Sequence, residues 1–278
     1  MANNPRFTNM LESSRLFEVQ HTKLLENNDI DDKVLDLLTS YFVSYIDYFK
    51  LTDEFVADKH MEFLNEYKIH LREFEKTGKY PYDEKLNSTK ERVDYDIPLL
   101  CSTFLSYHRY RIFETLYNKI NVNNNESVLV VGVGPGIELA ILKDKSKNIF
   151  AYDTDIGDFI KTTFPDVHFF EKYFSYEPGK SYDRIMLIEL LEHLEDPEFL
   201  LTEAMKSLSP DGRIHFTTAV NIPQFDHLYN FELNDKGLEK CIADNGFEIE
   251  YKLDLPHNYL VNVAAYNCYY IIKKNDNL

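Results

Sequence analysis

Residues 128–131 are four consecutive apolar residues, Val-Leu-Val-Val, that run directly into Gly132-Val133-Gly134-Pro135-Gly136. A short apolar run stopped at once by glycines reads as a strand buried on both faces. The same unit then returns along the chain. Apolar strands at Val128–Val131, Ile149–Tyr152, Val167–Phe170, Arg184–Ile188 and Arg213–Thr217 alternate with helical segments at Ile137–Lys143, Asp158–Phe164 and Glu198–Leu208. Such alternation forces parallel pairing with helices over both sheet faces. Ser209-Pro210-Asp211-Gly212 predicts a turn before the fifth strand. Asn234 is expected to cap a further helix that Gly246 ends, and Ile249–Leu253 with Ala264–Lys273 to close the sheet, an antiparallel direction being left open.

Residues 10–120 have a different texture. Val34, Leu35, Leu38, Tyr41, Phe42, Tyr45, Ile46 and Phe49 recur at helical spacing. Thr52 reads as an N-cap, and Gly78 stands where the following helix should stop. Residues 79–97 show no period and read as a loop. Pro98 then suits the first turn of a helix running to Ile120, and the run 121–126 marks a boundary. The expected domains are therefore a helical cap over 1–120 and a sheet domain over 121–278.

Composition narrows the function. The formal net charge is −17, with acidic residues spread along the chain. That balance repels a phosphate backbone, so nucleic acid is disfavoured as a partner and a small molecule fits better. The three cysteines are far apart and form no Cys-x-x-Cys pair, which argues against disulfides and zinc. Neither a secretory leader nor a membrane-length apolar run is present in the reading, which predicts a soluble, cytoplasmic protein. A homodimer is left open.

The glycine loop lies at the carboxyl end of the first strand, where doubly wound sheets bind ligands. It has one residue fewer between its second and third glycines than the Gly-x-Gly-x-x-Gly of dinucleotide folds, and Pro135 has no N–H to offer a phosphate. Asp153, at the end of the second strand, is placed to accept hydrogen bonds from ribose hydroxyls. Asp155 is a rival.

The segment Glu189-Leu190-Leu191-Glu192-His193, followed by Asp196-Pro197, completes a pattern. With the glycine loop, Asp153 and the Pro-Asp-Gly turn, residues 127–273 resemble the class I S-adenosylmethionine-dependent methyltransferases of the small-molecule group. The resemblance implies a Rossmann-like α/β fold, S-adenosylmethionine as cofactor and methyl transfer to an oxygen or nitrogen. It implies that Gly132, Gly134, Pro135 and Gly136 line the methionine part, that Asp153 and Thr154 hold the ribose, and that Ile188 and Glu189 lie beneath the cofactor. Tyr107, His108 and Arg111 are the candidates to meet its ammonium and carboxylate, although Arg111 could equally be a solvated helix cation. Where the family often has an acid for the adenine, this chain has Tyr173 and Phe174, so stacking would replace a hydrogen bond.

For catalysis, the loop 217–231 offers Asn221, Gln224, Asp226, His227 and Tyr229. His227 is the first choice of base or substrate anchor, because imidazole titrates near neutrality; a structural role is its alternative. His193 is the second choice. His60 and His70 belong to the cap. No acidic cluster suggests a catalytic metal. The rival functions are aminocarboxypropyl transfer from the same cofactor, as in nicotianamine synthase-like proteins, an NAD(P)-dependent oxidoreductase, and a cofactor-binding subunit without catalysis.

Overall fold

The computed structural model describes residues 4–27, 29–81, 91–231, 236–257 and 264–275. Helices occupy the first part. They are α1 (Pro5–Ser13), α2 (Arg15–Leu25), α3 (Asp32–Tyr48), α4 (Asp53–Thr77), α5 (Arg92–Leu105) and α6 (Tyr107–Lys119). Their ends follow from capping chemistry. The Thr52 hydroxyl accepts the Phe55 N–H at 3.2 Å, and Gly78 closes α4 at φ +66°. Two expectations need correction. The segment 79–97 is not all loop, since α5 begins at Arg92 and carries Pro98 inside it. The helix expected from Pro98 to Ile120 is also two helices, because Ser106 is extended at φ −131° and ψ 122°. The cap expected at Asn234 lies outside the described residues.

The sheet consists of β1 (Ser127–Val131), β2 (Asn148–Asp153), β3 (His168–Glu171), β4 (Tyr182–Leu187), β5 (Leu208–Val220), β6 (Phe247–Pro256) and β7 (Tyr266–Lys274). Its order is β3-β2-β1-β4-β5-β7-β6. The first five strands are parallel, and β7 runs antiparallel between β5 and β6. The order reverses between β1 and β4, which opens a crevice at their carboxyl ends. The turn expected at 209–212 is instead an irregularity inside β5, where pairing with β4 jumps from Tyr182↔Leu208 to Arg184↔Arg213.

Side chains alternate across the sheet and create two cores. Val128 and Val130 face α7 (Ile137–Leu142), α8 (Asp158–Thr163) and the N-terminal helices. Leu129 and Val131 face α9 (Pro197–Lys206) and α10 (Lys236–Asp244). Among the described residues no helix is long and apolar enough to cross a membrane.

An aromatic seam joins the helices to the sheet. Phe159 of α8 is ringed by Tyr41, Tyr45, Tyr48 and Phe49, with centroids 4.9–6.3 Å away. It is buried, so truncation removes both contacts and area. Phe159→Ala should cost about 3–5 kcal/mol in urea unfolding. A loss below about 1 kcal/mol would mean that the helices are not seated on this side chain.

Candidate functional site

The glycine loop is shaped by three left-handed glycines, Gly132, Gly134 and Gly136, at φ +74°, +49° and +81°. Gly136 is needed for close approach, since a Cβ there would lie 2.6 Å from the Tyr41 hydroxyl. That hydroxyl donates to the Pro135 carbonyl at 2.7 Å. Gly134 is different. A Cβ there would meet nothing within 4 Å, so the loop keeps open space above its middle. Asp153 holds the loop in place. Its carboxylate accepts the N–H groups of Gly134 and Asp155, each at 3.1 Å. A carboxylate has about four lone-pair positions, so Asp153 keeps capacity for a ligand's hydroxyls.

Arg92 spans the mouth of this loop. Its guanidinium donates to the Gly134 carbonyl, to the Asp155 carbonyl at 2.8 Å and to Asp96 at 2.9 Å. Asp96 also accepts from the Tyr45 hydroxyl at 2.9 Å.

A second polar node lies at the end of β4. Ile188 is buried, and Glu189 adopts φ +51°, a conformation that a glutamate rarely takes. Its N–H donates to the Thr217 hydroxyl at 2.6 Å. Its carboxylate pairs with Arg109 and accepts from Asn267 at 3.0 Å. His257 donates through Nε2 to Asn267 at 2.6 Å and stacks on His108 at 3.7 Å.

A third node joins the ends of β4 and β5. Glu192, His193, Asp226 and His227 converge there, with the two imidazoles edge to face at 4.9 Å. The Glu192 carbonyl accepts the N–H groups of Leu228 and Tyr229, which ties the two loops together. Burial, reinforced by His193, pushes His227 down to about 4. Burial would also depress His193, but Asp226 and Glu192 outweigh it and raise this imidazole above its ordinary value. Tyr95 donates to Asp226 at 3.0 Å, and Tyr80 packs near His227.

The fold therefore brings the glycines, Pro135, Asp153, Ile188, Glu189, His193 and His227 to one edge of the sheet. It does not bring Tyr107 and Arg111 there. Tyr107 donates to Asp29 at 2.8 Å, and Arg111 pairs with Glu114 and Asp29. Arg111, Asp29 and Glu114 line a cavity of about 410 Å³ with Tyr251 and Lys119. Thr154 is exposed, and Tyr173 is 83 % exposed to solvent. Phe174 is core, set edge-on against Tyr152. Arg92, Arg109 and Asn267 escaped the sequence reading. The i,i+4 pair Arg92 and Asp96 was the available signal for the first. The break at Ser106 hid the second, because it turns α6 so that Arg109 faces β4.

The methyltransferase domain family matches residues 104–251, just over half of the chain. No curated protein matches significantly. Among solved structures, the YcgJ protein of Bacillus subtilis is similar at 13 % identity and TM-score 0.50, over 60 % of this chain and 98 % of that one. The [4+2]-cyclase SpnF is similar at 13 % identity and TM-score 0.51, over 62 % and 82 %. The 1,6-didemethyltoxoflavin-N1-methyltransferase of Burkholderia thailandensis, solved with S-adenosylhomocysteine, shares 17 % identity over 67 % and 92 %, at TM-score 0.49.

Glu138, two residues past the loop, is fully enclosed, and burial pushes its carboxyl up to about 8. The unfolded chain ionises it near its ordinary 4.5. The folded state thus holds an extra proton between these values, and stability falls as pH rises across the window. Glu138→Gln removes this dependence. The variant should match the parent near about pH 5 and exceed it by about 3–5 kcal/mol near about pH 8.5, in urea titrations. Parallel stability profiles would show that Glu138 ionises freely.

Proposed function

We propose, from the premise that this chain belongs to the methyltransferase domain family, that it moves a methyl group to an oxygen or nitrogen of a small molecule held between the sheet's carboxyl edge and the N-terminal helices. Its cofactor is S-adenosylmethionine, whose sulfonium supplies an activated methyl group. The observation that carries the reading is the open space over Gly134 beside Asp153, with the Glu189–Arg109 pair at the end of the neighbouring strand β4.

The residues present fit this cofactor. Gly134 leaves room for a close approach, and Asp153 has lone pairs to spare for ribose hydroxyls. Arg109, rather than Arg111, is the guanidinium available to the methionine carboxylate. Its present partner, Glu189, is then free to meet the ammonium. Buried Ile188 and the half-buried stem of Glu189 offer an apolar floor. The helical segment acts as a cap: Tyr41, Tyr45, Asp96 and Arg92 hold it to the loop and exclude water from that side. Alignment of acceptor and methyl in such an enclosed site is the main contribution asked of the protein. The net charge of −17 supports a small neutral or cationic acceptor over a nucleic acid.

Gly134→Ala tests the reading. The left-handed backbone makes the substitution cost about 1–2 kcal/mol of stability. By calorimetric titration, S-adenosylhomocysteine should bind the parent and bind this variant at least about tenfold more weakly. Equal affinity would mean that the loop is only a turn. The by-product of turnover separates the two transfer chemistries: S-adenosylhomocysteine is expected, and 5′-methylthioadenosine alone would establish arm transfer instead.

A further inference from the structure

The geometry points to a divalent-cation site at the carboxyl ends of β4 and β5, built from Glu192, His193 and His227, with Asp226 beside them. One donor atom from each of the first three lies within 4.8 Å of the others. Their separation in sequence hides this, because 33 positions divide the two histidines and only the sheet brings them together.

The tautomers are fixed by the backbone. His193 Nδ1 faces the Asp226 carbonyl at 3.0 Å, and His227 Nδ1 faces the Ile222 carbonyl at 2.7 Å. A carbonyl only accepts, so each Nδ1 carries the hydrogen. In its neutral form each ring then presents a bare Nε2 lone pair. An imidazole that donates through one nitrogen to a carbonyl and coordinates through the other is the common arrangement at protein metal centres.

The acids supply an independent observation. Glu192 is 1 % exposed and Asp226 is 5 % exposed. The buried Oε2 of Glu192 and Oδ1 of Asp226 have no hydrogen-bond partner. Buried carboxylate oxygens are normally satisfied, because stripping water from them without replacement is costly. The orphaned oxygens and the imidazole lone pairs are all electron-pair donors without a partner, and a dication at the convergence of Glu192, His193 and His227 satisfies them. A proton shared with an imidazole would appear as a hydrogen bond from Glu192 Oε2, and none is formed.

The donor types select the ion. Imidazole nitrogen with carboxylate oxygen favours Zn²⁺, Mn²⁺, Fe²⁺ or Co²⁺ over Ca²⁺ and Mg²⁺. The framework is rigid, since the Leu228 and Tyr229 N–H groups bind the Glu192 carbonyl at 2.8 and 3.0 Å and Tyr95 holds the other oxygen of Asp226. The site shares the carboxyl edge of the sheet with the glycine loop but uses neither its residues nor Asp153, so its test is separable from that of the cofactor reading.

The test uses the purified full-length chain after treatment with a chelator. Co²⁺ is titrated in while its visible ligand-field bands are recorded, and Zn²⁺ and Mn²⁺ are titrated calorimetrically. One ion per chain is expected, with Zn²⁺ displacing Co²⁺. Glu192→Gln, which keeps the shape, and His227→Asn should each weaken binding at least about tenfold. His168→Ala removes an exposed imidazole elsewhere and should leave binding unchanged. Near-UV circular dichroism confirms that the variants are folded. Absence of stoichiometric binding to the parent, or equal binding by folded Glu192→Gln, would overturn the site. S-adenosylhomocysteine binding, measured on the same samples, reports separately on the cofactor reading.

Discussion

The contact between Gly136 and Tyr41 governs how this molecule is assembled. A phenol oxygen can stand against the loop only because the loop has no Cβ at that point. Once there, it satisfies the Pro135 carbonyl, which lies in the loop outside the strands. Everything on α3 is then placed in register. One turn on, Tyr45 reaches Asp96, and Asp96 orients Arg92 across the loop mouth. The aromatic seam around Phe159 supplies apolar area, but it is not directional. The hydroxyl–carbonyl bond gives the direction, and the seam gives the affinity.

The carboxyl edge of the sheet is strongly acidic for a region so enclosed. Asp153, Glu189, Glu192, Asp226 and the neighbouring Glu138 crowd the crevice. Each is handled differently. Asp153 is neutralised by backbone N–H groups and Glu189 by a guanidinium. Burial drives Glu138 and Glu192 toward their protonated forms. Burial would raise Asp226 as well, but the two histidines and the Tyr95 hydroxyl hold it low. An edge with so many separate solutions is costly to build, which is expected where binding rather than stability sets the residues.

The sheet was legible because its signal is local. Val128–Val131 can only be a buried strand, and the glycines after it can only be a turn. The parallel pairing of the first five strands followed from their alternation with helices. Residues on the cap were harder. Arg111 was placed by continuing one helical phase through Ser106, where no glycine or proline warns of a break. Arg92 sat in a stretch without periodicity, because α5 is buried on more than one side and shows no polar face to read. Tyr173 was placed by counting from β3, yet the chain turns there and sends Phe174 inward instead. The meeting of Glu192 with His227 is a property of topology, and no spacing rule encodes it.

Backbone strain marks the same edge. Among the described residues, three other than glycine have positive φ: Lys50, Glu189 and Asn221. The last two follow β4 and β5 almost directly. Asn221 tolerates the conformation and donates to the Ala264 carbonyl. Glu189 tolerates it less well, at a cost on the order of 1 kcal/mol. It is held by Thr217 on its N–H and by Arg109 and Asn267 on its carboxylate. These partners come from β5, α6 and β7, so three separate parts of the chain must be in place before the strain can be sustained. The conformation at Glu189 is therefore a product of the completed fold. It turns the carboxylate toward Arg109 and into the crevice, where an unstrained backbone would carry the side chain along the strand direction.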